Sequence, residues 1–371
     1  MVRSIAIASG KGGVGKTSLA VNCAVKLSTD GKKVALLDAD FGMANSHILL
    51  NQKIENSVND ILEKNTNIEK VIHETSTGLK LIPGGSGVLE LLNLDSQKRW
   101  EIIRSLDPLK SDLDILIVDT PAGASDASIE FSAACDAVVV VLVPEPTSFM
   151  DAYSFIKALY LEKKFESVSI VVNLAKNEKA AKKSYDSFKK IVTKFLSVDM
   201  KFLGWLPESK SIAGSIVARK PAVLQKSLEP ILQKNFAEIA SNLAEIETVK
   251  SSGVKFFNNK SVVDGFTTNP SLMRLAGAKN YKDYSLKILK ICKNKPISFE
   301  VFADNLKDML KQAYEINSWG KNVYVKIPVV NSKGVFTGPV IKELSDKGIK
   351  LNITAVYTFE QTEKIFKKLN K

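Results

Sequence analysis

Residues Gly10-Lys11-Gly12-Gly13-Val14-Gly15-Lys16-Thr17 join an apolar run, Ile5-Ala6-Ile7-Ala8, to a helical pattern from Ser18 to Leu27. Strand, glycine loop and helix in that order build an anion site from backbone N–H groups and a helix N-terminus. Gly10, Gly12, Gly13 and Gly15 let the main chain wrap phosphates without Cβ clashes. Lys16 would set its ammonium against the β- and γ-phosphates, and Thr17 would offer a hydroxyl to Mg2+. The loop, residues 10 to 18 with Val14 and Ser18 included, is therefore expected to hold a nucleoside triphosphate.

The pattern after the loop alternates short apolar runs with helical stretches. Strands are expected at Ser4–Ala8, Lys33–Asp38, Leu79–Pro83, Ile115–Asp119, Ala137–Val143, Ser169–Asn173 and Phe202–Leu206. Unbroken runs such as Ala137-Val138-Val139-Val140-Val141-Leu142-Val143 suit strands buried on both faces of a parallel sheet. Helices between them indicate βαβ units. Leu228–Val249 reads as a closing helix and Ser251-Ser252-Gly253 as a junction. A second alternation follows, with strands at Lys255–Phe257, Val262–Thr267, Ile297–Phe302, Val323–Pro328 and Asn352–Tyr357. Helices at Ser271–Ala276, Tyr281–Cys292, Asp304–Asn317, Gly338–Lys347 and Phe359–Leu369 separate them. The domain expectation is 1–249, a junction at 250–254, and 255–371.

Charge supports that division. Residues 251–371 hold 21 basic and 10 acidic side chains, whereas residues 1–250 hold 31 and 30. The lysines of the second part are dispersed, without a dense block or interleaved aromatics, so they read as a solvated face and give no strong nucleic-acid signal. No apolar run approaches the roughly 18 residues of a membrane span, and a strand starts almost at once in place of a signal peptide. A cytoplasmic protein is expected, peripheral to the inner membrane face at most. Cys23, Cys135 and Cys292 read as reduced thiols. His47 and His73 lack metal-ligand company and read as surface or helix residues.

Two acidic clusters accompany the loop. Leu36-Leu37-Asp38-Ala39-Asp40 ends the second strand, and Ile115-Leu116-Ile117-Val118-Asp119-Thr120-Pro121 ends a later one. Carboxylates at the C-terminal ends of parallel strands sit where open α/β sheets bind ligands. The loop's first lysine, in Lys11-Gly12-Gly13-Val14-Gly15-Lys16-Thr17, resembles the deviant Walker A signature of MinD/ParA-family ATPases. That resemblance implies a P-loop NTPase with a mostly parallel sheet and helices on both faces. It also implies an ATP-dependent homodimer that sandwiches two ATP molecules, with Lys11 acting in trans beside Lys16. It makes Asp119 the acid that holds Mg2+ through water and Asp40 the residue that positions the attacking water. Asp38 then lies close to the metal, together with Thr17. Asn173 would hydrogen-bond the adenine, and Pro207 and Glu208 would form the second base-reading segment.

Within that family, three stretches resemble the FlhG (FleN) flagellar-number regulators. They are Leu37-Asp38-Ala39-Asp40-Phe41-Gly42-Met43-Ala44-Asn45, Pro83-Gly84-Gly85-Ser86-Gly87 and Glu145-Pro146-Thr147-Ser148-Phe149-Met150-Asp151-Ala152-Tyr153. The implied partner is an effector protein such as a flagellar GTPase. The expectation is of no N-terminal extension of that group's kind, and Leu228–Val249 has no basic apolar face to enter lipid, which weighs against membrane cycling. A ParA-like DNA-partitioning role is the further alternative, disfavoured by the near-neutral first domain.

Val263-Asp264-Gly265-Phe266-Thr267-Thr268-Asn269-Pro270 and Asn322-Val323-Tyr324-Val325-Lys326-Ile327-Pro328 resemble transaldolases, including the fructose-6-phosphate-aldolase-like group. The resemblance implies a (β/α)8-barrel-like segment with Lys326 as a Schiff-base nucleophile, which an apolar strand end would favour. Glu300 matches the third-strand acid, Thr267 and Asn269 the second-strand motif, and Asn352 and Thr354 the fifth-strand pair. Lys255-Phe256-Phe257 would be the first strand, but Asn258-Asn259-Lys260 stand where an acid–base aspartate is expected. About 120 residues are too few for the barrel's usual 200–250 or more. An incomplete, inactive half-barrel with an unpaired edge, poorly stable alone, is the expectation.

Overall fold

The computed structural model describes residues 2–41, 44–64, 66–85, 94–248, 255–256, 265–275, 277–292 and 295–370. They fall into two compact units, Met1–Asn259 and Lys260–Lys371. Gly42, Met43, Ser86, Gly87, Val249, the 250–254 junction and positions 257–264 lie outside the described residues.

Among the described residues the first unit is built on eight strands: β1 (Arg3–Ala8), β2 (Val34–Asp38), β3 (His73–Glu74), β4 (Lys80–Ile82), β5 (Ile115–Asp119), β6 (Ala137–Leu142), β7 (Ser167–Ala175) and β8 (Asp199–Pro207). Their order is β3-β4-β2-β5-β1-β6-β7-β8. Every pairing is parallel except β3 with β4. The helices are α1 (Lys16–Thr29), α2 (Ser46–Leu49), α3 (Val58–Lys64), α4 (Ser96–Ser105), α5 (Asp126–Ala134), α6 (Pro146–Lys163), α7 (Glu178–Phe195), α8 (Lys210–Val217) and α9 (Pro230–Ala244). Strand residues alternate between faces, so each strand feeds two cores. Ala6 and Ala8 of β1 join Ile102, Phe131, Phe155 and Phe188 from α4 to α7. Ile5 and Ile7 join Leu19 and Leu27 of α1 and Phe236 and Ile239 of α9. Burial on both faces is why β2, β5 and β6 have no exposed position and read as unbroken apolar runs.

The strands expected between Ser4 and Leu206 all form, with ends shifted by no more than three residues. The antiparallel edge β3 was not anticipated, because two residues carry no periodicity. It contains His73, whose Nε2 lies 3.0 Å from the Asn56 carbonyl oxygen, so this histidine is a strand residue, not a helix or free surface one.

The structure divides the chain a few residues later than the sequence suggests. Lys255 and Phe256 do not open the second sheet. They fold with the first unit, where Phe256 is fully buried and its N–H donates to the Ala134 carbonyl at 3.0 Å. The core of the first unit offers these residues an aromatic neighbour and helix-end carbonyls, so the division falls at Asn259 and not before Lys255.

The second unit has four parallel strands among the described residues: β9 (Phe266–Thr267), β10 (Ile297–Glu300), β11 (Val323–Pro328) and β12 (Leu351–Thr354), in the order β12-β11-β10-β9. The helices α10 (Pro270–Leu275), α11 (Tyr281–Ile291), α12 (Leu306–Asn317), α13 (Gly338–Asp346) and α14 (Phe359–Phe366) follow the expected order. Here the pattern is period two. Val323, Val325 and Ile327 are buried with Met309, Ala313, Val340 and Leu344 under α12 and α13. Tyr324 and Lys326 point to the other, half-buried face.

Candidate nucleotide site

The glycine loop runs from the end of β1 into α1 as expected. Gly15 holds φ 88° at the N-cap of α1, and no side chain caps that helix. Its first N–H groups are therefore available to an anion. Gly12 and Gly13 border open space, whereas a Cβ at Gly10 would meet the Asp151 backbone at 2.1 Å. Glycine is thus required for approach at one end of the loop and for conformation at the other.

Lys16 Nζ donates to Asp119 Oδ1 at 2.6 Å, and both side chains are buried. The Thr17 hydroxyl acts on the same carboxyl group. Burial pushes the Asp119 carboxyl above the usual carboxylate range, while the Lys16 charge pulls it down. Asp119 Oδ2 has no hydrogen-bond partner. The Cα of Asp38 lies directly opposite that of Asp119 in the β2–β5 register. Its carboxylate accepts from the N–H groups of Asp40 (3.3 Å), Asn45 (2.9 Å) and Ser46 (2.8 Å), yet burial still raises it. Asp40 is half-buried and raised by burial, opposed by Lys16 and assisted by Asp119. So Lys16, Thr17, Asp38, Asp40 and Asp119 converge beside the loop. Among the described residues no group of three or more His, Cys, Asp or Glu could hold a metal unaided. The donor set fits Mg2+ only if phosphate oxygens complete the shell, the ordinary habit of that ion. The orphaned Asp119 oxygen and the uncapped α1 terminus supply the matching acceptor and donors.

Asn173, near the C-terminal end of β7, is buried, and its Nδ2 donates to the Val14 carbonyl at 2.8 Å. Its Oδ1 has no partner and remains free to accept a donor from a base. Pro207 pairs in register with Ala175, and Glu208 stands exposed beside it, so the two segments expected to read the base adjoin each other. Lys11 lies on the surface, its Nζ 3.3 Å from Glu145 Oε2 and 3.4 Å from Thr147 Oγ1. These two partners were quoted in the sequence only as resemblance, and nothing in their spacing announced the contact.

In the second unit the family positions are also gathered. Lys326 Nζ lies 3.2 Å from Glu300 Oε2 and 3.4 Å from the Thr268 carbonyl. Asn352 pairs in register with Lys326, and its Nδ2 donates to Ser298 Oγ at 2.9 Å. Thr267 sits opposite Ser298, and Thr354 opposite Pro328. Asn269 Oδ1 accepts from the Ser271 N–H at 2.9 Å, at the start of α10. The apolar surroundings expected for Lys326 are not found. Its strand neighbours Val325 and Ile327 face the opposite side, and the amine meets a carboxylate. Tyr281, which sequence reasoning passed over, offers its hydroxyl to the Glu300 N–H at 2.8 Å. The three cysteines are free, and burial pushes the Cys23 thiol up to about 12, away from reactivity. Among the described residues no helix is long and apolar enough to cross a membrane.

Comparison with known proteins agrees with both geometries. Residues 1–244 match the ParA family model described as NUBPL iron-transfer P-loop NTPase, and residues 242–370 match the transaldolase/fructose-6-phosphate aldolase model. The chain is 30% identical to the antiactivator FleN of Pseudomonas aeruginosa over 64% of its length and 83% of that protein's. It is also 30% identical to the flagellum site-determining protein YlxH of Helicobacter pylori, over 68% and 87%. Among solved structures, the septum site-determining protein MinD of Pyrococcus horikoshii with Mg-ADP superimposes with a TM-score of 0.55 at 25% identity, covering 66% of this chain and 96% of that one. The MinC:MinD complex of Aquifex aeolicus gives 0.55 at 26%, covering 68% and 98%.

Proposed function

The chain belongs to the ParA/MinD family of P-loop NTPases, and on that premise we propose that it is an ATP-driven dimerisation switch whose hydrolysis sets the placement or number of a cellular structure such as the flagellum. The observation that carries the ATPase reading is the convergence of Lys16, Thr17, Asp38, Asp40 and Asp119 beside an uncapped helix terminus. Mg2+, held by Thr17, Asp119 and Asp38 with phosphate oxygens, would supply charge neutralisation at the phosphates. Lys16 binds and orients the β- and γ-phosphates, giving up its hold on Asp119. Asp40 holds the attacking water by accepting its proton in a hydrogen bond. Lys11 reaches the partner's phosphates. Its contacts with Glu145 and Thr147 are solvent-exposed, and such pairs are worth only about 0–1 kcal/mol, so releasing it costs little. Asn173 Oδ1 takes the adenine amino group. FleN and YlxH favour a flagellar role, with an effector protein as partner and a cytoplasmic setting.

The transaldolase-type unit is proposed to be catalytically silent. A Schiff base needs the free amine, and Lys326 is tied to Glu300. The decisive experiment measures ATP turnover and mass, with and without Mg·ATP, for the full chain, Lys16→Ala and Lys326→Ala. Turnover and dimer formation should vanish with Lys16→Ala and persist with Lys326→Ala. Failure of the wild-type chain to bind Mg·ATP sinks the proposal, and ketose-phosphate turnover lost with Lys326→Ala sinks the silent-unit reading.

A further inference from the structure

Helix α5 follows Asp119 through Thr120 and Pro121, and Ser128 Oγ ties it back by donating to the Pro121 carbonyl at 3.0 Å. Its far end carries no basic residue in the last turn. The missing cation comes from beyond α9. Lys255 Nζ donates to the carbonyls of Ala133 (2.9 Å) and Cys135 (2.7 Å) and lies 5.4 Å from the Phe165 ring centroid. An ammonium there complements the negative end of the helix dipole. The next residue, Phe256, stacks on Phe131 of α5 at 6.2 Å, and Phe131 meets Phe41 edge-on at 5.2 Å.

Phe41 directly follows Asp40. Its ring is buried, and the loop beneath has no slack, since a Cβ on Gly84 would lie 2.9 Å from that ring and 2.3 Å from the Asp38 carbonyl oxygen. Two routes from the carboxylates therefore meet at Phe131: one through Phe41, the other through α5 itself. We propose that Lys255-Phe256 is an intramolecular docking motif, received by the C-terminal end of α5, whose seating is energetically coupled to the nucleotide loop through the Phe41–Phe131–Phe256 column. Close packing makes this coupling mechanical, because a ring displaced in a filled core must displace its neighbours. Residues that the aldolase-type family model covers have become an anchor on the ATPase. The second unit begins at Lys260, four residues past Phe256, so the anchor sits at its root.

The inference rests on the nucleotide site proposed above, and its test separates the two. Hydrogen exchange at the Phe256 amide, which donates to Ala134, is followed in the full chain with Mg·ADP, with a non-hydrolysable Mg·ATP analogue and with neither. Nucleotide affinity is measured in parallel for Phe256→Leu, Phe256→Ala and Lys255→Met. The expected result is a change in Phe256 protection between nucleotide states and, by the reciprocity of coupling, an affinity change of roughly 5-fold or more in the variants. Unchanged protection in a chain that binds nucleotide, with variant affinities within 2-fold of wild type by the same measure, overturns the inference while leaving the ATPase reading standing. A wild-type chain that binds no nucleotide overturns both. Should Phe256→Ala fail to fold, Phe256→Leu and Lys255→Met decide.

Discussion

The buried pair between Lys16 and Asp119 supports a quantitative prediction. The side chains are 7% and 1% exposed, and their charges meet at 2.6 Å. Asp38 is near enough to feel the same ammonium, but three backbone N–H groups support its charge. Asp119 depends on Lys16 and Thr17 alone among the groups that favour its ionised form. Removing one member of such a pair leaves a buried charge without compensation and costs about 3–5 kcal/mol. Replacing both members by uncharged residues of similar volume is often close to neutral. Lys16→Met and Asp119→Asn should thus each destabilise the first unit by about 3 kcal/mol or more, and the double variant should recover most of that loss. At about 2–4 °C per kcal/mol for a unit of this size, each single change lowers its melting point by roughly 6 °C or more.

The measurement is a double-mutant cycle in urea without nucleotide, read by exchange of β1 and β5 amides so that the second unit does not enter. A coupling energy of about 2–3 kcal/mol is expected, at the upper end of the range for residues in contact. Singles that add, with coupling below about 0.5 kcal/mol, would show that the ion pair is not what holds these carboxylates, and the reasoning would fail. Mg·ATP at 100 times its Kd should add about 2.7 kcal/mol to wild type and far less to Lys16→Met.

Three further outcomes follow from single residues. Gly15→Ala places a Cβ 2.3 Å from Asn173 Nδ2 at φ +88°, so equilibrium ATP binding should fall by at least about tenfold, equivalent to the roughly 1–3 kcal/mol of a strained backbone position. Lys11→Ala should leave ATP binding by the monomer within about 2-fold and lower turnover by roughly 10²-fold or more, the loss typical of a missing transition-state charge; single-turnover kinetics against a binding isotherm separates the two. Burial lowers the Lys255 pKa below its ordinary 10.5, so this group penalises the folded state while both states are protonated. Its contribution is largest above 10.5 and lost as pH falls through the lowered folded value. Wild type should therefore gain stability across that alkaline window, and Lys255→Met should flatten the rise in urea midpoints.

What the sequence made legible is whatever a local pattern forces. A strand, four glycines and a lysine permit few structures other than an anion loop, so residues 10 to 18 lie where the pattern placed them. Carboxylates ending β2 and β5 follow equally, because parallel strands deliver their C-terminal ends to one edge. Partner choice across the chain was not legible. Glu145 and Thr147 find Lys11 only after α6 has packed. The direction of Lys326 turned on one step of strand register, which sends Val325 into the core and the amine toward Glu300. Lys255-Phe256-Phe257 is the sharpest case. A lysine and two aromatic residues suit either a barrel strand or a docking segment, and the burial of Phe256 decides for the latter. A ring buried in the core outweighs a short strand at a sheet edge, where one row of backbone groups would remain unpaired. The same contest makes the first unit extend to Asn259. Cutting the chain at residue 250 removes Phe256 from its stack on Phe131, so ATPase fragments ending there should melt earlier than fragments ending at 259.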